Sequence, residues 1–269
     1  GVLDVTNGSV KNLLTLLDRS NEHIDGKLNG SVEIGGTRDN PSVNVTGKIN
    51  DVSIDEKIVG DATINASFAN RKFKVTTLKL PVGDGLIAIG GTMDLDGQAD
   101  LQVALKDVDI VPFLPLIGKD IQATGWVTGV VNITGETKNP KVELSSAIES
   151  GSFNGVGIDE GFALATMQDQ VIQIQRIQGA KSGYKLSAYG KIPLAAIFTS
   201  GYIPANDSKS MDVTIDFNEA DMAVIPLVTT SVKEATGPLK GAVHITGTID
   251  QPEAYGTVSV RNGTMKLAS

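Results

Sequence analysis

Three stretches of this chain share one frame. "GSVEIGGTRDNP" runs from Gly30 to Pro41, "GVVNITGETKNP" from Gly129 to Pro140 and "GAVHITGTIDQP" from Gly241 to Pro252. One more glycine stands four positions ahead of each, at Gly26, Gly125 and Gly237, so G-x3-G-x5-G-x4-P occurs three times without an insertion. A repeat in register constrains the fold more than any single motif, because each copy must build the same local structure. The prolines lie 99 and 112 positions apart. The surplus in the second interval is expected in "TSGYIPANDSKS", Thr199 to Ser210, whose Gly, Pro, Asn and Ser read as a longer loop.

Between these frames the chain alternates apolar and polar residues with period two. The apolar series is Val43, Val45; Ile64, Phe68; Phe73, Val75; Leu101, Val103, Leu105; Val131, Ile133; Val142, Leu144; Ile172, Ile174; Val213, Ile215, Phe217; Val243, Ile245; and Val258, Val260. Such alternation marks strands with one apolar and one wet face. Turn residues at Asn70-Arg71, Gly83-Asp84-Gly85, Asp96-Gly97, Lys181-Ser182-Gly183 and Asn262-Gly263 separate the runs. The expectation is a meandering antiparallel sheet with strands of about 6 to 10 residues.

Each frame follows a segment that opens on polar residues and then clusters Leu, Ile and Val: "NGSVKNLLTLL" from Asn7, "DVDIVPFLPLI" from Asp107 and "EADMAVIPLV" from Glu219. Each reads as a short helix, kept short by Pro112, Pro115 and Pro226 in the second and third copies. One unit is therefore a short helix, a glycine-framed strand, an x-Pro turn, and three or four more strands. Units start near 7, 107 and 219, and residues 1–269 read as one continuous segment of about two and a half units. The chain opens on "GVLDV" with a strand-like pattern already under way, as expected of a piece of a longer protein.

Within the frame, Gly30 and Gly36 share the parity of Val32 and Ile34, so both belong to the apolar face. Glycine there permits twist and close backbone approach. A phosphate loop would need a Lys-Ser/Thr ending and a following helix, and "GSVEIGG" has neither. The net charge of −8 excludes the dense basic surface that nucleic acid requires. With no cysteine and only two histidines, His23 and His244, material for a zinc site or a nucleophile–histidine pair is missing. Asp94 starts "DLDG", the opening of a calcium loop, but the twelfth position is Leu105 where a glutamate is required. Catalytic residues, metal and cofactor are all expected to be none. A carbohydrate-acting enzyme would pair two carboxylates in an aromatic-lined cleft, and one Trp and four Tyr supply it poorly. The longest apolar run, Ile110 to Ile117, falls well short of the roughly 20 residues of a membrane-spanning helix.

A sheet with one apolar face must cover it. Either a second sheet closes a sandwich or solenoid, or the sheet curls into a trough that an apolar ligand fills. Units of 99 and 112 residues are long for the rungs of a solenoid.

The frame G-x-V-x-I-x-G-T-x-x-N-P with the following "SVNVTGKI", and the later "GLIAIGGTMDL" and "YKLSAYGKIPL", resemble the TamB family among the AsmA-like proteins of diderm bacteria. The third copy departs mildly, with Gln251-Pro252 in place of Asn-Pro. The resemblance implies an all-β fold with short helices, in which a repeat-built, curled antiparallel sheet forms an open "β-taco" groove with an apolar interior. It implies the periplasmic segment of an envelope protein anchored in the inner membrane, with an outer-membrane barrel partner of the TamA type reached through other parts of the protein. The implied role is bridge-like, non-catalytic transport of phospholipid between the membranes, with help in outer-membrane protein assembly, and the apolar series above would line the groove around the acyl chains.

Overall fold

The computed structural model describes residues 1–12, 23–117, 122–153, 156–181, 184–196, 210–227, 232–248 and 251–267. They fold as two compact units, one of Gly1–Leu116 with Val127–Glu143, the other of Ile117–Trp126 with Leu144–Ser269. The architecture is all-β and antiparallel, with a few short helical turns.

The first unit holds β1 (Val2–Ser9), β2 (Ile24–Gly36), β3 (Pro41–Ile54), β4 (Lys57–Ala69), β5 (Lys72–Val82), β6 (Gly85–Asp94) and β7 (Gln98–Asp109), each paired with the next. β8 (Ala123–Glu136) and β9 (Lys141–Phe153) begin and end in different units. The second unit continues with β10 (Val156–Gln168), β11 (Val171–Lys181), β12 (Tyr184–Pro193) and β13 (Met211–Asp221), which pairs with β15 (Pro238–Gly247) and through it with β16 (Pro252–Val260). β14 (Val232–Thr236) and β17 (Thr264–Leu267) form a separate two-stranded ribbon. Among the described residues β1 pairs with β2 alone and β16 with β15 alone.

Two-residue hairpins join the long strands. Asp55-Glu56, Asn70-Arg71 and Asp169-Gln170 all have both φ values between 46° and 67°, the left-handed pair of a type I′ turn whose twist matches that of the flanking strands. The repeat is visible in the backbone. The third frame glycine is left-handed in every copy, with φ of 78° at Gly36 and 88° at Gly135 and Gly247. After it the chain closes a tight turn, with the Asn40 amide donating to the Thr37 carbonyl and the Asn139 amide to that of Glu136. Asp51, Ser150 and Asn262 occupy one repeat position and share φ of 52°, 49° and 52°.

Several expectations need correction. Most strands have 10 to 14 residues, because I′ turns let hairpins run long before the ladder ends. Five strands, β3 to β7, follow the first frame strand before the next helical turn, against the expected three or four; after the second, four strands, β9 to β12, precede the short turn Leu194–Ala196, and β13 follows it. The helical turns also start later than expected, at Val111–Phe113 followed by Leu114–Ile117, and at Met222–Leu227. The polar openings at Asp107 and Glu219 belong to the ends of β7 and β13, and Asn7 to β1. An aspartate marks each start: the Asp109 carboxylate, two residues before the first turn, accepts the Val111 amide at 3.1 Å, and that of Asp221, immediately before the second, accepts the Ala223 amide at 3.0 Å. Beyond Asn12 the first helix, with residues 199–209 of the long loop and the Ser182-Gly183 turn, lies outside the described residues. The surplus does fall between Leu194, whose amide donates to Gln170 as that of Leu95 does to Arg71, and Val213, the partner of Gly190.

Candidate functional site

Strand register shows which side chains share a face, since directly opposed residues point the same way. In the first unit the rows run straight across the sheet. Ile34, Val43, Phe68, Phe73, Met93 and Ala99 form one. Leu3, Val32, Val45, Ala66, Val75, Gly91 and Leu101 form the next. A third joins Val5, Gly30, Gly47, Ile64, Leu78, Ile89 and Val103, and Ile87 opposes Leu105 in the fourth. The other face carries Glu33, Asn44, Ser67, Lys74, Thr92 and Asp100 in one row.

The second unit repeats the arrangement. Ala165, Ile174, Gly190, Val213, Ile245 and Ala254 form one row, Ala163, Ile177, Ala188, Ile215, Val243 and Gly256 the next. Gly161, Gly179, Leu186, Phe217, Gly241 and Val258 form a third, and Leu239 opposes Val260. Ile172 lies between Met167 and Ile192. Val131 and Ile133 share the parity of buried Val127 on β8, while Val142 and Leu144 alternate with neighbours of the other face on β9. Within each unit, the predicted apolar positions of the paired strands thus share one face.

Burial along that face is graded. In the first unit Ala62, Leu80, Val82, Ile87 and Val108 are buried at one end, where Phe113 of the helical turn packs with them. Val43, Val45, Val75 and Phe73 are only half-buried and Ile34 is 47% exposed. Phe68 and Phe73 touch with ring centroids 4.5 Å apart. In the second unit the covered end comprises Phe217, Ala220, Met222, Val232, Ala235 and Leu239, under the Met222–Leu227 turn and β14. At β16 the face is open, with Val258 40% and Val260 42% exposed.

Sequence reading missed Ile89, although β6 keeps one parity from Ile87 to Met93, and it missed Leu78, Leu80 and Ile177 on this face for a local reason. Thr76 is an extra residue opposite the β4 step Asn65/Ala66, and Gln175 is its counterpart opposite Leu164/Ala165. A bulge reverses the parity that follows it. Glycines with φ of 125° (Gly91) and 137° (Gly190) lie opposite the residue preceding each bulge, and this pairing is the signal that locates it. The glycines of the frame also hold strands close: a Cβ on Gly30 would lie 2.2 Å from the Thr46 carbonyl oxygen.

Charged groups stay in water. His23 pairs with Asp55 at 2.6 Å, Lys27 with Asp51 at 2.8 Å and Arg71 with Asp96 at 2.6 Å, all well exposed. His244 belongs to the polar row of Tyr189, Thr214 and Tyr255, and its Nδ1 lies 3.1 Å from the Thr214 hydroxyl. The Asp25 carboxyl is held below the usual carboxylate range by the amides of Gly26 and Lys11, which donate to it. The Tyr255 hydroxyl donates to Glu253, and that acceptor raises its pKa. Among the described residues no buried side chain is polar or charged, no group of three His, Asp or Glu is placed to hold a metal, and no helix is long and apolar enough to cross a membrane. A shallow 370 Å³ depression on the second unit, lined by Glu160, Phe162, Gln178, Lys185 and Asp216 among others, mixes both charges. No family model, curated protein or solved structure matches the chain.

Proposed function

We propose that this chain is a non-catalytic segment of a phospholipid conduit, working as the TamB-like frame implies. Acyl chains rest on the apolar rows, and headgroups stay in water at the open side. The observation that carries the reading is the graded face: continuous apolar rows in each unit, covered at one end by a helical turn and half-exposed over the rest. The buried cluster of the first unit draws on β3 to β7 of one sheet plus Phe113, as a sheet curling over its own apolar side would give. Each acyl CH2 laid on such a face gains about 0.8 kcal/mol, so lipid is held by length of contact and needs no specific pocket. Under this reading the chain is periplasmic, belongs to an envelope protein anchored in the inner membrane, and meets a barrel partner of the TamA type through parts outside this segment. A closed sandwich serving as a structural module is the rival, and it requires a cover over Val43, Val45 and Phe73.

The experiment is lipid capture. Native mass spectrometry of the chain purified from membranes should show bound phospholipid. A photo-crosslinker at Val45 or Val213 should label lipid at least several-fold more than one at Thr46 or Thr214, which point to the other face. Equal labelling of the two faces sinks the proposal.

A further inference from the structure

Among the described residues every exposed aromatic side chain belongs to the second unit. Two of them, Phe162 at 39% and Tyr189 at 49% exposure, stand on the polar face of β10 and β12, strands that have a neighbour on both sides. A free sheet edge therefore does not account for their exposure. Register puts Phe162 in one row with Gln178, Ser187 and Asp216, and Glu160 in the next with Lys185 and Asn218. These two rows line the 370 Å³ depression, over the opposed glycines Gly161 and Gly179. Tyr189 follows two residues beyond Ser187 on the same face, about 7 Å along the strand.

The fold does not require this lining. In the first unit the same row reads Thr63, Lys79, Ala88 and Ala104, and Gly90 holds the place of Tyr189. One backbone pattern is built with and without the rings, so the rings serve something other than the sheet.

We propose that the depression binds a neutral saccharide, one pyranose ring seated against Phe162 and the adjoining ring toward Tyr189. A pyranose has an apolar C–H face and a rim of hydroxyls that both donate and accept. Phe162 and Tyr189 offer electron-rich ring faces to the C–H groups. The amides of Gln178 and Asn218 and the Ser187 hydroxyl donate and accept, the Glu160 and Asp216 carboxylates accept, and the Lys185 ammonium donates. Two carboxylates against one ammonium leave the lining negative, which disfavours phosphate, sulfate and acidic sugars. A hydrocarbon tail would strip these groups of water without pairing them. Glu160 and Asp216 lie three strands apart, about 14 Å, against about 5 to 10 Å in a glycosidase pair, so the sugar is held and not cleaved. The site occupies the face opposite the lipid rows, and neither depends on the other.

The test uses the whole 269-residue chain with cellohexaose, maltohexaose and chitohexaose as neutral probes and an oligogalacturonate as the acidic control. Calorimetry should find saturable binding of at least one neutral probe, tighter than the control by about ten-fold or more. Saturation-transfer NMR should mark the C–H protons of its rings. Phe162→Ala and Tyr189→Ala should each weaken binding by about ten-fold, with thermal midpoint and phospholipid content unchanged, and Phe162→Tyr should bind nearly as the parent does. Lys79→Ala, at the place of Gln178 in the first unit, should leave binding unchanged. The assignment is overturned if none of the neutral probes binds saturably, if the acidic control binds best, or if both alanine variants bind like the parent. Self-association of the chain that Phe162→Ala abolishes would also overturn it, by giving the face to a second copy.

Discussion

Replacing Leu80 and Val45 by aspartate places one charge on the same sheet face at two depths. Leu80 is 8% exposed and belongs to the cluster with Ala62, Val82, Ile87 and Val108, against which Phe113 packs. Leu80→Asp removes about 2 to 3 kcal/mol of side-chain burial and leaves a carboxylate without a partner, at a further cost of several kcal/mol. The sum is comparable to the whole stability of an ordinary domain, about 5 to 15 kcal/mol, so the first unit should unfold or be severely weakened. Val45, between Val32 and Ala66, is half-buried. There the aspartate forfeits about 1 kcal/mol of contact and keeps much of its hydration, so the loss should stay near 1 to 2 kcal/mol. Urea unfolding followed by far-ultraviolet circular dichroism separates the two, since the midpoint moves in proportion to stability at constant slope. Leu80→Ala and Val45→Ala give the same comparison without charge, at about 2 to 4 against 1 kcal/mol or less. Val45→Asp should also keep its fold while retaining less phospholipid. If Val45→Asp destabilises as much as Leu80→Asp, the face is covered and the open-face reasoning fails.

Gly30→Val should cost about 2 kcal/mol or more, because its Cβ would meet the Thr46 carbonyl oxygen at 2.2 Å and the Gly47 Cα at 2.6 Å, both backbone; an unchanged thermal midpoint would contradict the close approach of β2 and β3. The Asp25 pKa is lowered by its amide donors, so its contribution is complete above the unfolded value of about 4 and is lost as pH falls through the lower folded value. Asp25→Asn should therefore lose about 0.5 to 1 kcal/mol at pH 7, discounted for exposure, and the gap from the parent should close in acid. Asp96→Asn, which breaks the exposed pair with Arg71, should move the thermal midpoint by little, at most about 1 kcal/mol in stability.

The apolar face was legible wherever a strand keeps strict alternation. Val43 to Phe68 and Val213 to Phe217 fall on shared rows because the pleat alone decides which side a residue takes. Legibility failed at Thr76 and Gln175, where an inserted residue flips the parity and a glycine on the next strand absorbs it. It failed again at Asp107 and Glu219, which resemble helix openings yet lie in strands. Asp107 donates its amide to the Thr128 hydroxyl and accepts from it in return at its carboxylate, both at 3.0 Å. Those bonds come from a strand about twenty residues on, and nothing in the local pattern announces them.

The chain by itself determined the repeat, the hairpin turns and the division of each strand into an apolar and a polar side. Each follows from backbone sterics and side-chain alternation over a few residues. Only the tertiary structure decided which part of the apolar side is covered and that β14 and β17 split from the main sheet. Coverage and pairing depend on what arrives from distant sequence, and period-two alternation is the same whether a strand is roofed by Phe113 or open to water.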